Sequence, residues 1–276
     1  MDERIYLARA ALHMWEEPCI SGTKGSGAVF FSGCGLRCCF CQNHDIAIGS
    51  RGRAVSVERL GEIFLELKEK GAANINLVTG AHYVPQIIEA LDMARRKGLD
   101  IPVVYNSSGY EKTETLKLLE GYVDIYLPDL KYLDPELAQK FSYAPDYVQA
   151  AKAAIGEMVR QTGKCEFGED GYIRTGTIVR HLILPGHTGN SIKALRYLHE
   201  TYGEDIYISI MNQYTPVRKF VEFKELNRKV TKREYEKVLD AAVDMGIQNG
   251  FIQEGETASE SFIPDFDYEG VEKNTP

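Results

Sequence analysis

No apolar run in the 276-residue chain approaches the roughly 20 residues that a helix needs to cross a bilayer. No charged-then-apolar leader opens it, so a cytoplasmic setting is expected and a membrane partner is not. Basic residues form no cluster that would track a phosphate backbone, which argues against a nucleic-acid partner. Domain linkers and low-complexity tracts are also missing. What is present is ordinary for a globular protein, with 44% apolar and 26% charged residues. The length suffices to bury a full core.

The net charge is −8, and most of it sits at the end. From Glu254 to Pro276 there are seven acidic residues and one lysine. Residues 254–276 therefore read as an acidic, solvated tail, with "FIPDFDY" as the part able to dock back on the body. Residues 1–26 read as an N-terminal extension with a glycine-rich loop, and residues 27–253 as one domain.

That domain is a strand-helix alternation. "AVFFSG" reads as its first strand. Ser56 caps a helix with Leu60, Ile63, Phe64 and Leu67 on one face, and Gly71 stops it. "NINLVTG" is the second strand, followed by a helix with Ile87, Ile88 and Leu91 inward. "IPVVYN" and "YVDIYLPDL" follow, separated by a short helix from about Thr113. Asp134 and Pro135 open another short helix to about Phe141, and "DYVQAAKAAIGEMVRQTG" is helical. "TIVRHLILPG" and "DIYISIMNQY" are the fifth and sixth strands. Thr231 and Glu234 form a capping box for a helix through Met245, and "IQNGFIQ" supplies a short closing strand. Near-continuously apolar strands imply a parallel sheet covered on both faces. Both an open doubly wound sheet and a barrel satisfy the pattern.

Parallel βα architectures carry their chemistry at the C-terminal ends of the strands. Polar residues collect there in this chain. The second strand ends in Thr79-Gly80-Ala81-His82, the third in Asn106-Ser107-Ser108-Gly109, the fourth in Asp129-Leu130-Lys131 and the sixth in Asn212-Gln213-Tyr214. The first ends in "GCGLRCCFCQNHD", which packs four cysteines between Cys34 and Cys41. Three readings of these thiols are open. A zinc site would need adjacent Cys38 and Cys39 on one tetrahedral ion, which is sterically awkward. A redox dithiol at Cys38-Cys39-Phe40-Cys41 leaves Cys34 unexplained. Cys34-x3-Cys38-x2-Cys41 binds three irons of a cubane and leaves the fourth open for a ligand; Cys39 is then a small buried residue.

The Cys-x3-Cys-x2-Cys loop after a first strand, with Phe40 before its last cysteine, resembles the radical S-adenosylmethionine (SAM) superfamily. Within it, "ISGTKGSGAVFFSGCGLRCCFCQN", "HYVPQIIEAL", "VDIYLPDLKY", "RHLILPG" and "MNQYTP" resemble the pyruvate formate-lyase activating enzymes and the branch related to them. The resemblance implies a partial (β/α)6 barrel. It implies one [4Fe-4S] cluster on Cys34, Cys38 and Cys41, because Cys19 and Cys165 alone are too few for a second. SAM would chelate the open iron and be cleaved by one electron to methionine and a 5′-deoxyadenosyl radical, which takes hydrogen from a substrate. Implied partners are an electron donor such as flavodoxin or ferredoxin and a glycyl radical enzyme or another protein substrate. A non-catalytic iron–sulfur protein is the reading from a different class.

Residue by residue, the resemblance gives Thr79, Gly80 and His82 to the SAM amino group, where His82 stands in place of an acid; its bland role is to satisfy a nearby backbone group. Lys131 is given to the SAM carboxylate. Asp129 is given to a monovalent cation beside it, with Asn106 where a second carboxylate is expected and Ser107 or Ser108 adding an oxygen. A surface salt bridge is the plain alternative for Asp129 and Lys131. Arg180 resembles an arginine at the same place in the activating enzymes, Gln213 and Tyr214 are given to the adenosine or the substrate, and Phe40 to the cofactor wall. Lys24-Gly25-Ser26-Gly27 stands where the activating enzymes carry Asp-Gly-Pro-Gly, a reversed charge that bears on the substrate if the loop faces the barrel mouth.

Overall fold

The computed structural model describes residues 4–253 and 264–273. In chain order the elements are β1 Ile5–His13, α1 Pro18–Ser21, β2 Ser26–Phe31, α2 His44–Ala47, β3 Arg53–Val55, α3 Val57–Glu69, β4 Ile75–Val78, α4 Val84–Arg96, β5 Val103–Ser107, α5 Thr113–Lys117, β6 Ile125–Pro128, α6 Pro135–Ser142, α7 Tyr147–Thr162, β7 Glu166–Phe167, β8 Ile173–Leu182, α8 Thr188–Tyr202, β9 Tyr207–Met211, α9 Lys232–Asp244 and β10 Gly250–Ile252. The expected caps are made: Ser56 accepts from Arg59 N–H, Asp134 from Glu136 N–H, and Thr231 and Glu234 close a reciprocal box.

The sheet runs β10-β9-β8-β6-β5-β4-β2-β1-β3, with β7 paired to β8. From β2 to β10 the pairs along this path are parallel. Each parallel strand lies beside its predecessor in the chain, with no reversal of order. A doubly wound sheet requires that reversal, so the order selects the barrel. β3 and β10 remain as edges, and the barrel is partial rather than closed.

Strand alternation divides the core into layers. Ile75, Leu77, Val103, Tyr105 and Tyr126 pack outward against Leu60, Ile63, Phe64, Ile87 and Leu91 of α3 and α4. Their neighbours Val104, Ile125, Leu127 and Ile178 turn inward and, with Cys19 and Ile20 of α1, form an apolar floor. Ile88, expected inward, is only half-buried.

Two stretches depart from expectation. Residues 5–13 form β1, antiparallel to β2, with Ala11 opposite Ala28 and His13 opposite Ser26. Alanine is depleted in strands, so the alanine-rich "LARAALH" carries little strand signal, and pairing with β2 overrides it. The described part of the C-terminal tail is docked rather than solvated. Phe266 meets Phe30 edge-on at 5.5 Å, Tyr268 N–H donates to Ala8 O, and Val271 is fully buried. Arg9 pairs with Asp267 at 2.9 Å and with Glu269, which accounts for part of the acidic charge. Phe262 and Ile263 of "FIPDFDY" lie outside the described residues.

Lys24 also lies elsewhere than supposed. It precedes β2, whereas the cysteines follow it, so a six-residue strand, roughly 20 Å at 3.3 Å per residue, separates Lys24 from the cysteine end. Lys24 sits over the Tyr172 ring, 5.5 Å from its centroid, at the N-terminal end of the barrel.

Candidate functional site

The chain leaves β2 through Gly33, at φ +101°, where a Cβ would stand 3.0 Å from His82 Nε2; only glycine turns here without strain. The loop that follows is held by Gly33 N–H to Ile46 O (2.7 Å) and by Cys39 N–H to Phe141 O (2.7 Å). Cys34, Cys38 and Cys41 line one cavity of about 250 Å³ inside the barrel mouth. Cys39 does not. It is buried among Leu36, Phe40 and Phe141 and faces a second cleft toward Arg218 and Asp265. Leu36 N–H donates to Cys34 Sγ (3.4 Å) and Ser142 Oγ to Cys38 Sγ (3.0 Å). Burial pushes the Cys34 thiol up, Cys39 to about 11 and Cys41 to about 12. Phe40 walls the cavity, edge-on to Phe141 and Tyr214.

Facing the thiols is a buried ionic network. Lys131 Nζ donates to Asp129 Oδ2 (2.6 Å), and Arg180 Nε donates to Asp129 Oδ1 (3.0 Å). Arg180 Nη2 donates to Asn106 Oδ1 (2.6 Å) and Nη1 to Glu16 Oε2 (3.1 Å). Glu16 Oε1 accepts from Asn106 Nδ2 (3.2 Å) and Asn76 Nδ2 (3.1 Å). Burial opposes charge on all three ions, yet Lys131 and Arg180 together hold Asp129 below the ordinary carboxylate range. Asp129 in turn raises both cations. The surface salt-bridge reading of Asp129 and Lys131 is thereby corrected: the pair lies inside the barrel, 16% and 18% exposed.

Two backbone features position this network. Gly109, at φ +74°, lets the end of β5 approach β6 so closely that a Cβ would meet Asp129 O at 2.3 Å. The buried Tyr147 hydroxyl accepts from Lys131 N–H (3.0 Å) and stands 2.9 and 2.8 Å from the Ser108 and Asp129 carbonyls, to one of which at a time it donates. Thr79, also on the cavity wall, is held at φ +62°, with its N–H on Asn106 O. A β-branched residue there stores strain of about 1–3 kcal/mol.

The cavity thus gathers Phe40, Thr79, Asn106, Ser108, Asp129, Lys131, Arg180, Gln213 and Tyr214 with the three thiols. Gly80 and His82 are not brought to it. A Cβ on Gly80 would meet Ile87 Cδ1 at 2.7 Å, so that glycine serves helix packing. The His82 ring is on Ser32 O (2.8 Å), behind the cysteine loop, where Nε2 satisfies a backbone carbonyl. Tyr214 offers only its ring: it is 1% exposed, and its hydroxyl donates to Leu226 O (2.7 Å). Asn106 and Asp129 present no vacant oxygen pair for an ion, because Arg180 takes one oxygen of each.

Sequence reasoning missed Glu16, Gln42 and Glu111. The cue for Glu16 was the acidic pair Glu16-Glu17 inside the apolar run "AALHMWEEPCI". Gln42 Nε2 ties the cysteine loop to Gln213 O (3.2 Å). Glu111 lies behind the wall: Ser107 Oγ donates to it at 2.6 Å and Tyr105 OH at 3.2 Å. Burial raises its carboxyl to about 7, from about 4.3 unperturbed. The folded chain therefore binds more protons than the unfolded chain between those values, and stability falls as pH rises through this window. Relative to wild type, Glu111→Gln should gain roughly 3 kcal/mol between pH 4 and pH 8. Thermal unfolding of both proteins across that range checks this; parallel curves would refute it.

The donor set suits an iron–sulfur cluster with an additional ligand. Three thiols share one wall, amide and hydroxyl donors reach two of the sulfurs, and an ammonium and polar strand ends stand opposite. Among the described residues, no three His, Cys, Asp or Glu side chains converge as ligands of one metal ion; a cubane asks instead for one thiolate per iron.

Comparison with known proteins bears on this arrangement. The family model of the Radical SAM superfamily matches residues 28–198. The uncharacterized protein MJ0674 of Methanocaldococcus jannaschii is 28% identical over 244 residues, covering 86% of this chain and 67% of that one. The pyruvate formate-lyase-activating enzyme of Clostridium pasteurianum is 27% identical over 113 residues, 39% of this chain and 46% of the enzyme. Streptococcus suis SuiB, solved with S-adenosylmethionine, superposes with a TM-score of 0.52 at 15% identity, over 84% of this chain and 48% of its own; SuiB has also been solved with its precursor peptide SuiA. The matches thus cover about half the length of SuiB and of the C. pasteurianum enzyme. Among the described residues no helix is long and apolar enough to cross a membrane.

Proposed function

The chain belongs to the radical SAM superfamily, and from that premise we propose that it abstracts hydrogen from a protein substrate, with the backbone glycine of a glycyl radical enzyme as the leading target. The superfamily uses a [4Fe-4S] cluster and SAM, which when bound supply a reductively generated 5′-deoxyadenosyl radical. The observation that carries the proposal is the thiol triad facing the Lys131–Asp129 pair across one cavity. An electron carrier has no use for a buried ammonium aimed at that space.

In this reading Cys34, Cys38 and Cys41 hold the cluster, and an external electron donor reduces it. Lys131, with donors to spare beyond Asp129, binds the SAM carboxylate as a point charge. The strained Thr79 offers backbone to the amino group in place of Gly80 and His82. Asn106, Ser108 and Gln213 orient the rest, and Phe40 excludes water from the cluster side. The glycine target rests on the similarity to the C. pasteurianum activating enzyme. The reversed charge at Lys24 no longer counts against it, because Lys24 lies at the opposite end of the barrel. A second reading, modification of a peptide or another small substrate, draws support from the likeness to SuiB, which has been solved with a precursor peptide.

The experiment is anaerobic. The reduced protein should convert SAM to 5′-deoxyadenosine, and incubation with candidate glycyl radical enzymes should produce a protein radical visible by electron paramagnetic resonance. A bound cluster with no SAM cleavage would sink the enzyme reading. SAM cleavage with no radical on any candidate enzyme would favour the peptide or small-substrate reading.

A further inference from the structure

The resemblance places a monovalent cation beside Asp129, and the residues here do not fit one. Hard cations need a shell of several oxygens free to turn toward them. Asp129 Oδ2 is taken by Lys131 and Oδ1 by Arg180; Asn106 Oδ1 and Glu16 Oε2 are taken by the same guanidinium. An alkali ion would have to displace three hydrogen bonds and then stand next to the unit charge it displaced. Arg180 is itself fixed by acceptors from three separate segments: the loop after β1, the end of β5 and the residue following β6.

Among the ion pairs of this cluster, Asp129 and Glu16 oppose Arg180 and Lys131, all enclosed in the barrel. Glu17 is also buried within the field of Arg180, and burial raises its carboxyl toward the neutral form. The guanidinium keeps its proton at any accessible pH and presents a rigid planar fork.

We propose that Arg180 is this protein's built-in monovalent cation, so that SAM binding needs neither sodium nor potassium. The inference rests on the reading of the cavity as a SAM site. Calorimetric titration of anaerobically reconstituted protein with SAM, in tetramethylammonium, sodium and potassium buffers of equal ionic strength, should give dissociation constants agreeing within about twofold. Tightening of about tenfold or more by either alkali ion overturns the proposal. Arg180→Ala empties the gap and should weaken SAM binding about tenfold or more in tetramethylammonium, with part of the loss restored by potassium. Wild-type affinity of Arg180→Ala in every buffer overturns it as well. Because loss of a buried cation can cost the fold, Arg180→Lys provides a charged control that should remain insensitive to salt.

Sodium NMR relaxation on the cluster-loaded protein needs no SAM. Wild type should show no saturable sodium site; a saturable site abolished by Asp129→Asn would overturn the proposal. Failure to bind SAM in any buffer would instead defeat the functional reading, and the sodium measurement would then decide the cation question alone.

Discussion

Alanine at Cys34, Cys38 or Cys41 is expected to strip the iron from the anaerobically reconstituted protein, whereas alanine at Cys39 is expected to leave it bound. All four thiols lie within eight residues, so proximity in sequence does not separate them; direction does. Cys34, Cys38 and Cys41 open onto the cavity, and Cys39 turns into the packing around Phe40 and Phe141. The pKa directions do not separate them, because burial disfavours a free thiolate at Cys39 as well as at Cys34 and Cys41. At Cys34 and Cys41 a coordinated metal would supply the positive charge that lets a buried thiol ionise. Losing one of three ligands leaves a second iron without a protein thiolate, so the expected effect is loss of the cluster rather than a graded weakening. Cys39→Ala removes one buried sulfur and should cost about 1 kcal/mol of stability. Iron and sulfide contents of the four variants decide the matter. Loss of cluster in Cys39→Ala with retention in Cys34→Ala would overturn the assignment.

Lys131→Ala is expected to weaken SAM binding ten- to a hundredfold while sparing the cluster. A hydrogen bond between charged groups contributes roughly 1.5–3 kcal/mol, which corresponds to that range of affinity. Asp129 holds the lysine pKa above its usual value against the opposing effect of burial. Its charge, and with it this part of SAM binding, should therefore persist to the alkaline limit of the protein's stability. Asp129 keeps its Arg180 partner when Lys131 is removed, so the network is thinned rather than dismantled. Lys131→Met, which retains the length of the stem, controls for lost packing. Calorimetry alongside iron analysis checks the prediction. Unchanged SAM affinity in both variants, with iron retained, would assign Lys131 to the structure alone.

The parts of the site legible in the sequence were those carried by strand ends. In a parallel βα array the C-terminal end of each strand faces the same rim, so Asp129-Leu130-Lys131 and Asn106-Ser107-Ser108 could be placed together without coordinates. The same reasoning failed for Gly80 and His82. They follow Thr79, whose left-handed backbone turns the chain away from the rim, and a residue's φ is not written in a tetrapeptide that contains a more permissive glycine next to it. The acidic pair in an apolar run marked Glu16 as unusual but did not place it, because it arrives from a loop after an antiparallel strand outside the repeat. Its partners Asn76, Asn106 and Arg180 are 60, 90 and 164 residues distant. Glu111 was missed because its role depends on burial.

By itself the sequence determined the periodic elements, their caps and the thiol spacing, since each depends on residues within one or two turns of one another. It also determined that polar strand ends would share a rim, because parallel strands leave no other arrangement. Only the tertiary structure decided between a doubly wound sheet and a barrel, because strand order is a matter of long-range pairing that local pattern does not encode. It alone recruited the N-terminal stretch as β1 and set the Pro264–Lys273 segment against that strand. And it alone turned Arg180 from one polar group among several into the hub between Asp129, Asn106 and Glu16, because a buried charge is defined by the partners that surround it, and those come together only when the barrel forms.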